Sequence, residues 1–246
     1  MEQASAAPHH GEHEPTSTGL SHRKLLIWAF LASDCMFFAS LIATYLVYRG
    51  KSLSGPLPID VFDIPVTSIS TFVLLMSSMG MVLSYAALRR GNIKAFRIWL
   101  ASTALMGMTF LAFQVFEFRA FANHEVVVNC AELIASPDDF TALDHTVADA
   151  KCAAGAHDVE ETVGLTLRTN LFGTTFYTLI GFHGAHVTLG VIWLLSLLFY
   201  SFHGGMTPAR HLDLDLAALY WHFVDIVWIV IFTVVYLFGV FPGFEG

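Results

Sequence analysis

A histidine and an aspartate lie three residues apart in the last long apolar stretch of the chain, at His222 and Asp225. Residues three or four apart share one face of a helix, so Trp221 and Trp228 belong to the same stripe. An aspartate at the centre of a membrane helix costs roughly 2.5 to 3.5 kcal/mol on insertion scales. We therefore expect this stripe to face protein and not lipid, and we take His222 and Asp225 as candidates for proton-linked chemistry.

Four further candidates for buried or proton-linked groups are Asp34, Glu117, His183 and His186. His183 and His186 are three residues apart, close enough to bind one metal ion, but His222 would have to supply a third ligand from another helix. Histidines that hydrogen-bond inside a packed bundle are the more ordinary interpretation. The sequence therefore predicts no metal site.

Composition places the chain among membrane proteins. Of its 246 residues, 55% are hydrophobic and 13% are charged, whereas an average soluble domain has about 25% charged residues. The net charge of -8 argues against a nucleic-acid partner, which calls for a basic patch. The three cysteines include no C-x-x-C pair that would suggest a thiolate metal site.

Five apolar stretches are long enough to cross a bilayer as helices, which takes about 20 residues each. They cover residues 24–48, 66–88, 97–121, 171–202 and 217–240, and every stretch except the second carries an ionisable or amide side chain. A bundle with a polar interior explains this pattern better than five lipid-facing helices do. The predicted fold is therefore all-α, an integral membrane bundle of five transmembrane helices with a long acidic extracytoplasmic loop between the third and fourth.

Positive charges near the helix ends predict the orientation. With a cytoplasmic amino terminus, the inner side collects Arg23, Lys24, Arg89, Arg90, Lys94, Arg97 and Arg210. We therefore predict a cytoplasmic amino terminus and an extracytoplasmic carboxyl terminus. Residues 1–20 form a flexible polar tail without the basic start and apolar core of a signal peptide, and residues 21–246 form the transmembrane domain.

The segment 123–170 is an acidic insertion that contains Cys130 and Cys152. In the predicted orientation both thiols face an oxidising compartment, so a disulfide that closes the loop is the favoured interpretation. Two unpaired thiols in a mobile loop are the alternative. Cys35, inside the first stretch, is interpreted as a small apolar filler.

Four motifs follow one another within about 25–241. They are residues 33–38 (Ser-Asp-Cys-Met-Phe-Phe) with Tyr45 and Arg49, Gln114 with Glu117 and Phe118, residues 181–187 (Gly-Phe-His-Gly-Ala-His-Val) with Gly190, and residues 220–228 (Tyr-Trp-His-Phe-Val-Asp-Ile-Val-Trp). Together they resemble subunit III of the haem-copper respiratory oxidases, the cytochrome c oxidase and quinol oxidase family. The chain resembles the short five-helix bacterial type, but its acidic loop is longer than usual.

The resemblance implies an accessory subunit of a terminal oxidase in the aerobic electron transport chain of a bacterial cytoplasmic membrane. Such a subunit carries no redox centre, because haem and copper lie in partner subunits. It stabilises catalytic subunit I, in a complex that also contains subunit II, holds phospholipid, and supports proton uptake coupled to oxygen reduction.

The resemblance also suggests roles for individual residues. At Asp34 it implies a protonated, lipid-accessible acid, which either supports proton uptake or acts as a polar lock between helices. Arg210 and His211, in the inner loop before the last span, could bind a lipid phosphate or anchor the helix. Trp221 and Arg49 are further candidates for lipid contact. Glu117 lies near the outer end of its span, where we expect partial solvation.

Two other functions stay open. In a stand-alone transporter, Asp34, His183, His186, His222 and Asp225 would line a path for protons or solute, although five spans without an internal repeat fit that class poorly. The related subunit of a nitric oxide reductase is the other. Cytochrome c and quinol both remain possible electron donors, and the acidic loop could attract basic cytochrome c or contact a neighbouring complex.

Overall fold

The computed structural model describes residues 21–48, 64–123, 125–130, 152–154, 158–162 and 171–238. Its main elements are the helices α1 (His22–Tyr48), α2 (Ile64–Arg89), α3 (Ile93–Ala122), α4 (Leu171–Phe202) and α5 (His211–Ile231). A 3-10 turn, Pro208–Arg210, precedes α5, and a π-helical segment, Phe232–Leu237, continues it. Five helices in this part of the chain are long and apolar enough to cross a membrane. The predicted five-helix bundle is confirmed, and the chain is a multi-pass membrane protein.

The outward faces of the helices are strongly apolar. Side chains with at least two thirds of their surface exposed include Met36, Leu26, Ile98, Phe116 and Phe199. Monomeric soluble proteins rarely expose large continuous apolar patches. The exposed surface is therefore suited to acyl chains, and the polar groups of the motifs are turned inward.

The third helix begins four residues before the predicted boundary. Its N-cap is Asn92, whose side chain accepts a hydrogen bond from the backbone N–H of Ala95 at 3.1 Å. Capping of this kind satisfies a backbone donor that the first turn leaves free. Gly91, with φ of 75°, makes the tight connection from α2, because a residue with positive φ is most readily glycine.

The last helix also begins earlier than hydropathy predicted, at His211 and not at residue 217. The prediction that His211 lies in the loop before the last span is therefore wrong, and Asp213 and Asp215 also belong to α5. The acids are stabilised in the first turns of α5 by the helix dipole and by cations of α1. Arg23 Nη2 lies 2.7 Å from Asp213 Oδ1, and Lys24 Nζ lies 2.7 Å from Asp215 Oδ2.

The first helix is the least buried of the bundle. It packs on α4 and α5, and its buried residues are Leu31, Phe38 and Tyr45, each seven positions from the next. This spacing gives a narrow apolar seam like that of a coiled coil. Polar contacts that hold α1 to its neighbours therefore matter more than they would for a helix that is buried on several sides.

The described part of the loop between α3 and α4 contains a short antiparallel ribbon that the all-α prediction did not include. Strand β1 (Glu125–Asn129) pairs with β2 (Asp158–Thr162). Cys130 and Cys152 form a disulfide with a Cα–Cα distance of 5.6 Å, which is the pairing that the sequence favoured. The remainder of the loop and the tail 1–20 lie outside the described residues.

Candidate functional site

Trp221 of α5 contacts three other helices in the interior. Its indole from α5 passes between Gly107 of α3 and Gly190 of α4, where an added Cβ would lie 2.6 Å and 2.9 Å from ring carbons. Its Nε1 donates to the Ser77 hydroxyl of α2 at 2.9 Å. Because only 1% of Trp221 is exposed, the prediction that it contacts lipid is wrong.

The second tryptophan of the same motif, Trp228, lies two turns further along α5. Its Nε1 donates to Thr71 Oγ1 at 2.9 Å. Its ring stacks on His183 at 4.9 Å between centroids and meets Phe110 edge-on at 4.8 Å. The motif therefore places two large side chains at successive levels of the core, and each indole N–H reaches a hydroxyl of α2.

His183 is fully buried in an aromatic environment. Besides Trp228, the rings of Phe110 and Phe38 contact it. Neither ring nitrogen has a hydrogen-bond partner among the described residues. The expected hydrogen bond of this histidine is therefore absent from the described contacts, and its ring is held by stacking.

The Gln114 motif fits directly into the two-histidine motif. Gln114 Nε2 donates to the carbonyl oxygen of Ile180 at 3.1 Å. A Cβ on Gly184 would lie 2.9 Å from Gln114 Oε1. The absence of a side chain at Gly184 thus lets the amide reach the backbone of α4, and it explains why glycine suits this position between the two histidines.

Asp34 and His186 form a contact between α1 and α4. Asp34 Oδ2 lies 3.4 Å from His186 Nε2, and the side chains are 13% and 15% exposed. His186 Nδ1 lies 2.7 Å from the carbonyl oxygen of Phe182, and the Tyr220 hydroxyl donates to the His186 carbonyl at 2.9 Å. The acid therefore points to a protein group, as expected for a polar side chain inside the bundle.

His222 and Asp225 meet through a serine of α2. The Ser78 hydroxyl donates to Asp225 Oδ2 in a short contact, and its oxygen lies 3.0 Å from His222 Nδ1. Asp225 is buried, whereas His222 is half-buried and lines a groove between α1 and α5. The stripe predicted on α5 is thus brought together, with Ser78 as the link that the sequence did not reveal.

Glu117 is more enclosed than its position near a helix end suggested. It is 8% exposed, and it accepts hydrogen bonds from Thr67 Oγ1 at 2.5 Å and from the Tyr236 hydroxyl at 3.3 Å. The expected partial solvation is therefore wrong. The π-helical segment after α5 supplies Tyr236 and so completes this acid's environment.

The basic residues proposed for lipid contact lie at the turn between α4 and α5. Arg210 is exposed, and its guanidinium donates to the Tyr200 hydroxyl and to the Gly205 carbonyl. His211 Nδ1 lies 3.0 Å from the Pro208 carbonyl. These contacts order the turn, and binding of a lipid phosphate stays a prediction. Arg49 lies outside the described residues.

The hydroxyl residues of α2 are what the sequence analysis missed. Thr67, Thr71, Ser77 and Ser78 each contact a motif residue of α3 or α5, although this stretch alone had no ionisable or amide group. A usable signal existed, because small hydroxyl side chains recur at helical spacing along one face of an otherwise apolar helix.

Across the described residues, no group of three His, Cys, Asp or Glu is placed to hold a metal ion.

Comparisons with known proteins give several relatives that cover most of this chain. A family model described as cytochrome c oxidase subunit III matches residues 147–240. The cytochrome c oxidase subunit 3 of Alkalihalophilus pseudofirmus is 33% identical over 87% of this chain and 85% of its own length. The quinol oxidase subunit 3 of Bacillus subtilis is 30% identical over 94% and 97%. The cytochrome bo(3) ubiquinol oxidase subunit 3 of Pseudomonas putida is 32% identical over 87% and 84%. The shared length, together with the interlocked motifs, shows that this chain belongs to the cytochrome c oxidase subunit III family of the haem-copper oxidases.

Proposed function

We propose that this chain is the accessory subunit III of a haem-copper terminal oxidase in a bacterial cytoplasmic membrane. It packs against catalytic subunit I, in a complex with subunit II, and sustains proton uptake coupled to oxygen reduction. The haem and copper of the complex belong to those partners. The observation that carries the proposal is the Asp34–His186 contact, because it joins the least buried helix to the rest of the bundle.

The neighbours of His186 define where its hydrogens lie. A carbonyl oxygen only accepts hydrogen bonds, so the short Nδ1 contact with Phe182 requires a hydrogen on Nδ1. His186 Nε2 is then either a lone pair that faces a protonated Asp34 or an N–H that faces a carboxylate. In both cases the pair shares one proton and the contact is attractive, although Asp34 Oδ2 and His186 Nε2, at 3.4 Å, do not form a hydrogen bond of ordinary geometry.

This shared proton supports two roles for Asp34. As a lock, the pair holds α1 against α4 and keeps the bundle in shape beside the catalytic subunit. As a proton-holding group, Asp34 would exchange its proton during turnover. We propose the lock as its main role, because burial of α1 is confined to a narrow seam and a polar contact at that seam fixes the helix against α4.

Three substitutions of Asp34 separate these roles. Asp34→Asn keeps a donor for Nε2 but removes the acid, Asp34→Ala removes both, and Asp34→Glu keeps both with a longer arm. If Asp34 acts as a lock, the oxidase with Asp34→Asn should sustain oxygen consumption over many turnovers. The oxidase with Asp34→Ala should lose activity. Loss of proton uptake in the Asn variant with α1 still docked would reject the lock in favour of proton holding.

The role of the whole subunit has its own test. Oxidase from which this chain has been removed should consume oxygen at its normal initial rate and then lose activity under continuous turnover. Adding the purified chain back is the matched control. Unchanged activity of the stripped complex over many turnovers would contradict the proposal, and purification of the chain without a haem-bearing partner would favour a transporter.

Cytochrome c is the donor that we propose. The relative that is 33% identical to this chain is named as a cytochrome c oxidase subunit. In addition, the acidic residues of 123–170 would attract a basic electron donor at long range. Relatives named as quinol oxidase subunits make the quinol the alternative. Oxidation of reduced cytochrome c and of a quinol by the purified complex decides between them.

We also propose that the chain holds phospholipid. The groove between α1 and α5 has a volume of about 370 Å³ and is lined mainly by apolar side chains, among them Trp28, Leu31, Phe223 and Ile226. Such a surface suits an acyl chain. The measurement is mass spectrometry of the lipids that the complex retains. Ile226→Lys should disrupt lipid binding, and a lysine introduced at an exposed position of α5 outside the groove is the control. Equal lipid retention by these two variants would contradict lipid binding in the groove.

A further inference from the structure

A chain of three polar side chains runs from the interior to the groove between α1 and α5. Asp225, near the centre of α5, is 3% exposed, and its Oδ2 is in hydrogen-bonding contact with the Ser78 hydroxyl. Ser78 also contacts His222, whose ring lines the groove. Three titratable or hydroxyl groups are thus connected from a buried carboxyl to the outer face of the bundle.

No cation among the described residues lies beside the buried carboxyl of Asp225. Within the described ranges, no nitrogen of Lys, Arg or His lies within 4.0 Å of the Asp225 oxygens. Oδ1 of this residue has no hydrogen-bond partner there either. Burial of a carboxylate without a cation is costly. The resting arrangement is therefore one in which Asp225 carries a proton.

A serine hydroxyl between an acid and an imidazole can point in two directions. In one arrangement Asp225 Oδ2–H donates to Ser78 Oγ, and the Ser78 hydroxyl donates to His222 Nδ1. In the other, His222 Nδ1–H donates to Ser78 Oγ, and the hydroxyl donates to the Asp225 carboxylate. Both use the same heavy-atom positions, so the two ends can exchange a proton with little movement.

We propose that Asp225, Ser78 and His222 form a proton relay that opens at the groove between α1 and α5. Asp225 Oδ2 gives its proton to Ser78 Oγ, while the hydroxyl proton of Ser78 passes to His222 Nδ1. The Nε2 proton of His222 then leaves to a water molecule that enters the groove while no acyl chain fills it. One proton has left, Asp225 is a carboxylate, and the hydrogen bonds point the other way. Uptake is the reverse.

The relay deepens the proposed support for proton uptake and rests on it for its physiological meaning. Its existence can be tested apart from oxidase activity. Infrared spectra of the purified complex, recorded after a switch from water to heavy water, follow the carbonyl stretching band of a protonated carboxyl group. Asp225→Asn should remove one such band, and the time course of its isotope shift in the unmodified protein gives the exchange rate.

Two serines side by side provide a matched control. Ser78→Ala breaks the relay and should slow exchange at Asp225 by about tenfold, the effect of losing one hydrogen bond of ordinary strength. Ser77→Ala removes the neighbouring hydroxyl, which bonds Trp221, and should leave the exchange rate unchanged. Ser78→Thr keeps a hydroxyl and should restore exchange. His222→Phe should slow exchange as Ser78→Ala does.

Two results would overturn the relay. If Asp225→Asn removes no band from a fully assembled complex, Asp225 is ionised and has no proton to pass on. If exchange is equally fast in Ser78→Ala and in the unmodified protein, the proton takes another path. Asp34→Asn separates the two proposals, because it should leave the Asp225 band and its exchange rate unchanged whatever it does to turnover. Haem content and subunit retention confirm assembly of each variant.

Discussion

Gly190→Ala should destabilise the bundle because α5 inserts Trp221 against α4 at this point. The added Cβ would lie 2.9 Å from two carbons of the indole and 3.2 Å from Cε1 of Tyr220. Carbon atoms in contact are normally about 3.5 to 4.0 Å apart, so Trp221 must shift by several tenths of an ångström. It cannot do so freely, because Gly107 confines its other face. Overpacking of this kind costs about 1 to 3 kcal/mol.

Gly181→Ala is the matched control on the same helix. A Cβ there meets nothing within 4 Å, so the change brings only the higher helix propensity of alanine, up to about 1 kcal/mol. Both variants gain this propensity, and the difference between them isolates the clash. The measurement is unfolding in mixed detergent micelles, followed by tryptophan fluorescence, with Gly190→Ala also made in a Trp221→Phe background. The larger cavity left by the smaller phenylalanine ring should reduce the cost.

Equal stability of Gly190→Ala and Gly181→Ala would refute this reasoning. It would mean that the indole does not pack between α3 and α4 as described. A cost of Gly190→Ala that is the same with Trp221 present and in the Trp221→Phe background would place the strain elsewhere. Only a cost that depends on both the glycine and the indole supports the interlock.

Three further changes have defined expectations. Cys130→Ser opens a disulfide with a sequence separation of 22, and we expect it to cost about 3 kcal/mol of stability. The variant should be proteolysed faster than the unmodified protein, and reductant should accelerate proteolysis of the unmodified protein only. For the partly exposed Lys24–Asp215 pair, a double-mutant cycle should give a coupling below about 1 kcal/mol that weakens with salt; a larger value insensitive to salt would contradict it. Glu117→Leu leaves buried hydroxyl donors without their acceptor and should cost about 1 to 3 kcal/mol, while Glu117→Gln should cost less in the same unfolding assay.

The sequence predicted the helices well because their signal is strong and local. Five long apolar stretches leave little choice of secondary structure. The errors arose where polar residues belong to a helix through tertiary contacts. Asp213 and Asp215 lengthen α5 because α1 supplies cations, and hydropathy along one segment does not contain that information. The β-ribbon was missed for a similar reason, since each strand is short and is stabilised by the other.

The sequence identified residues of the candidate site, but it did not indicate which of them contact one another. The sequence singled out Asp34 and His186 without indicating that they meet across α1 and α4. Trp221 was assigned both to an inward stripe and to lipid contact, and its position between two glycines leaves only the first. Side-chain direction within a helix follows from spacing, but the choice of partner depends on how neighbouring helices are rotated and shifted.

Register between α2 and α5 is set by hydroxyl groups that work in two directions. Ser77 donates to the Leu74 carbonyl of its own helix and accepts from the Trp221 indole. Thr71 likewise donates to the Thr67 carbonyl and accepts from Trp228.

Every donor in these contacts is satisfied without a charged group, which suits a segment inside hydrocarbon. Positions rise along α5 as they fall along α2, as antiparallel helices require. A slip of one turn that placed Trp221 opposite Met81 and Trp228 opposite Leu75 would leave both indole N–H groups without acceptors at once, at about 1 to 3 kcal/mol each. The hydroxyl groups in the apolar span of α2 can therefore determine where the ionisable residues of α5 lie, including the Asp225 carboxyl beside Ser78.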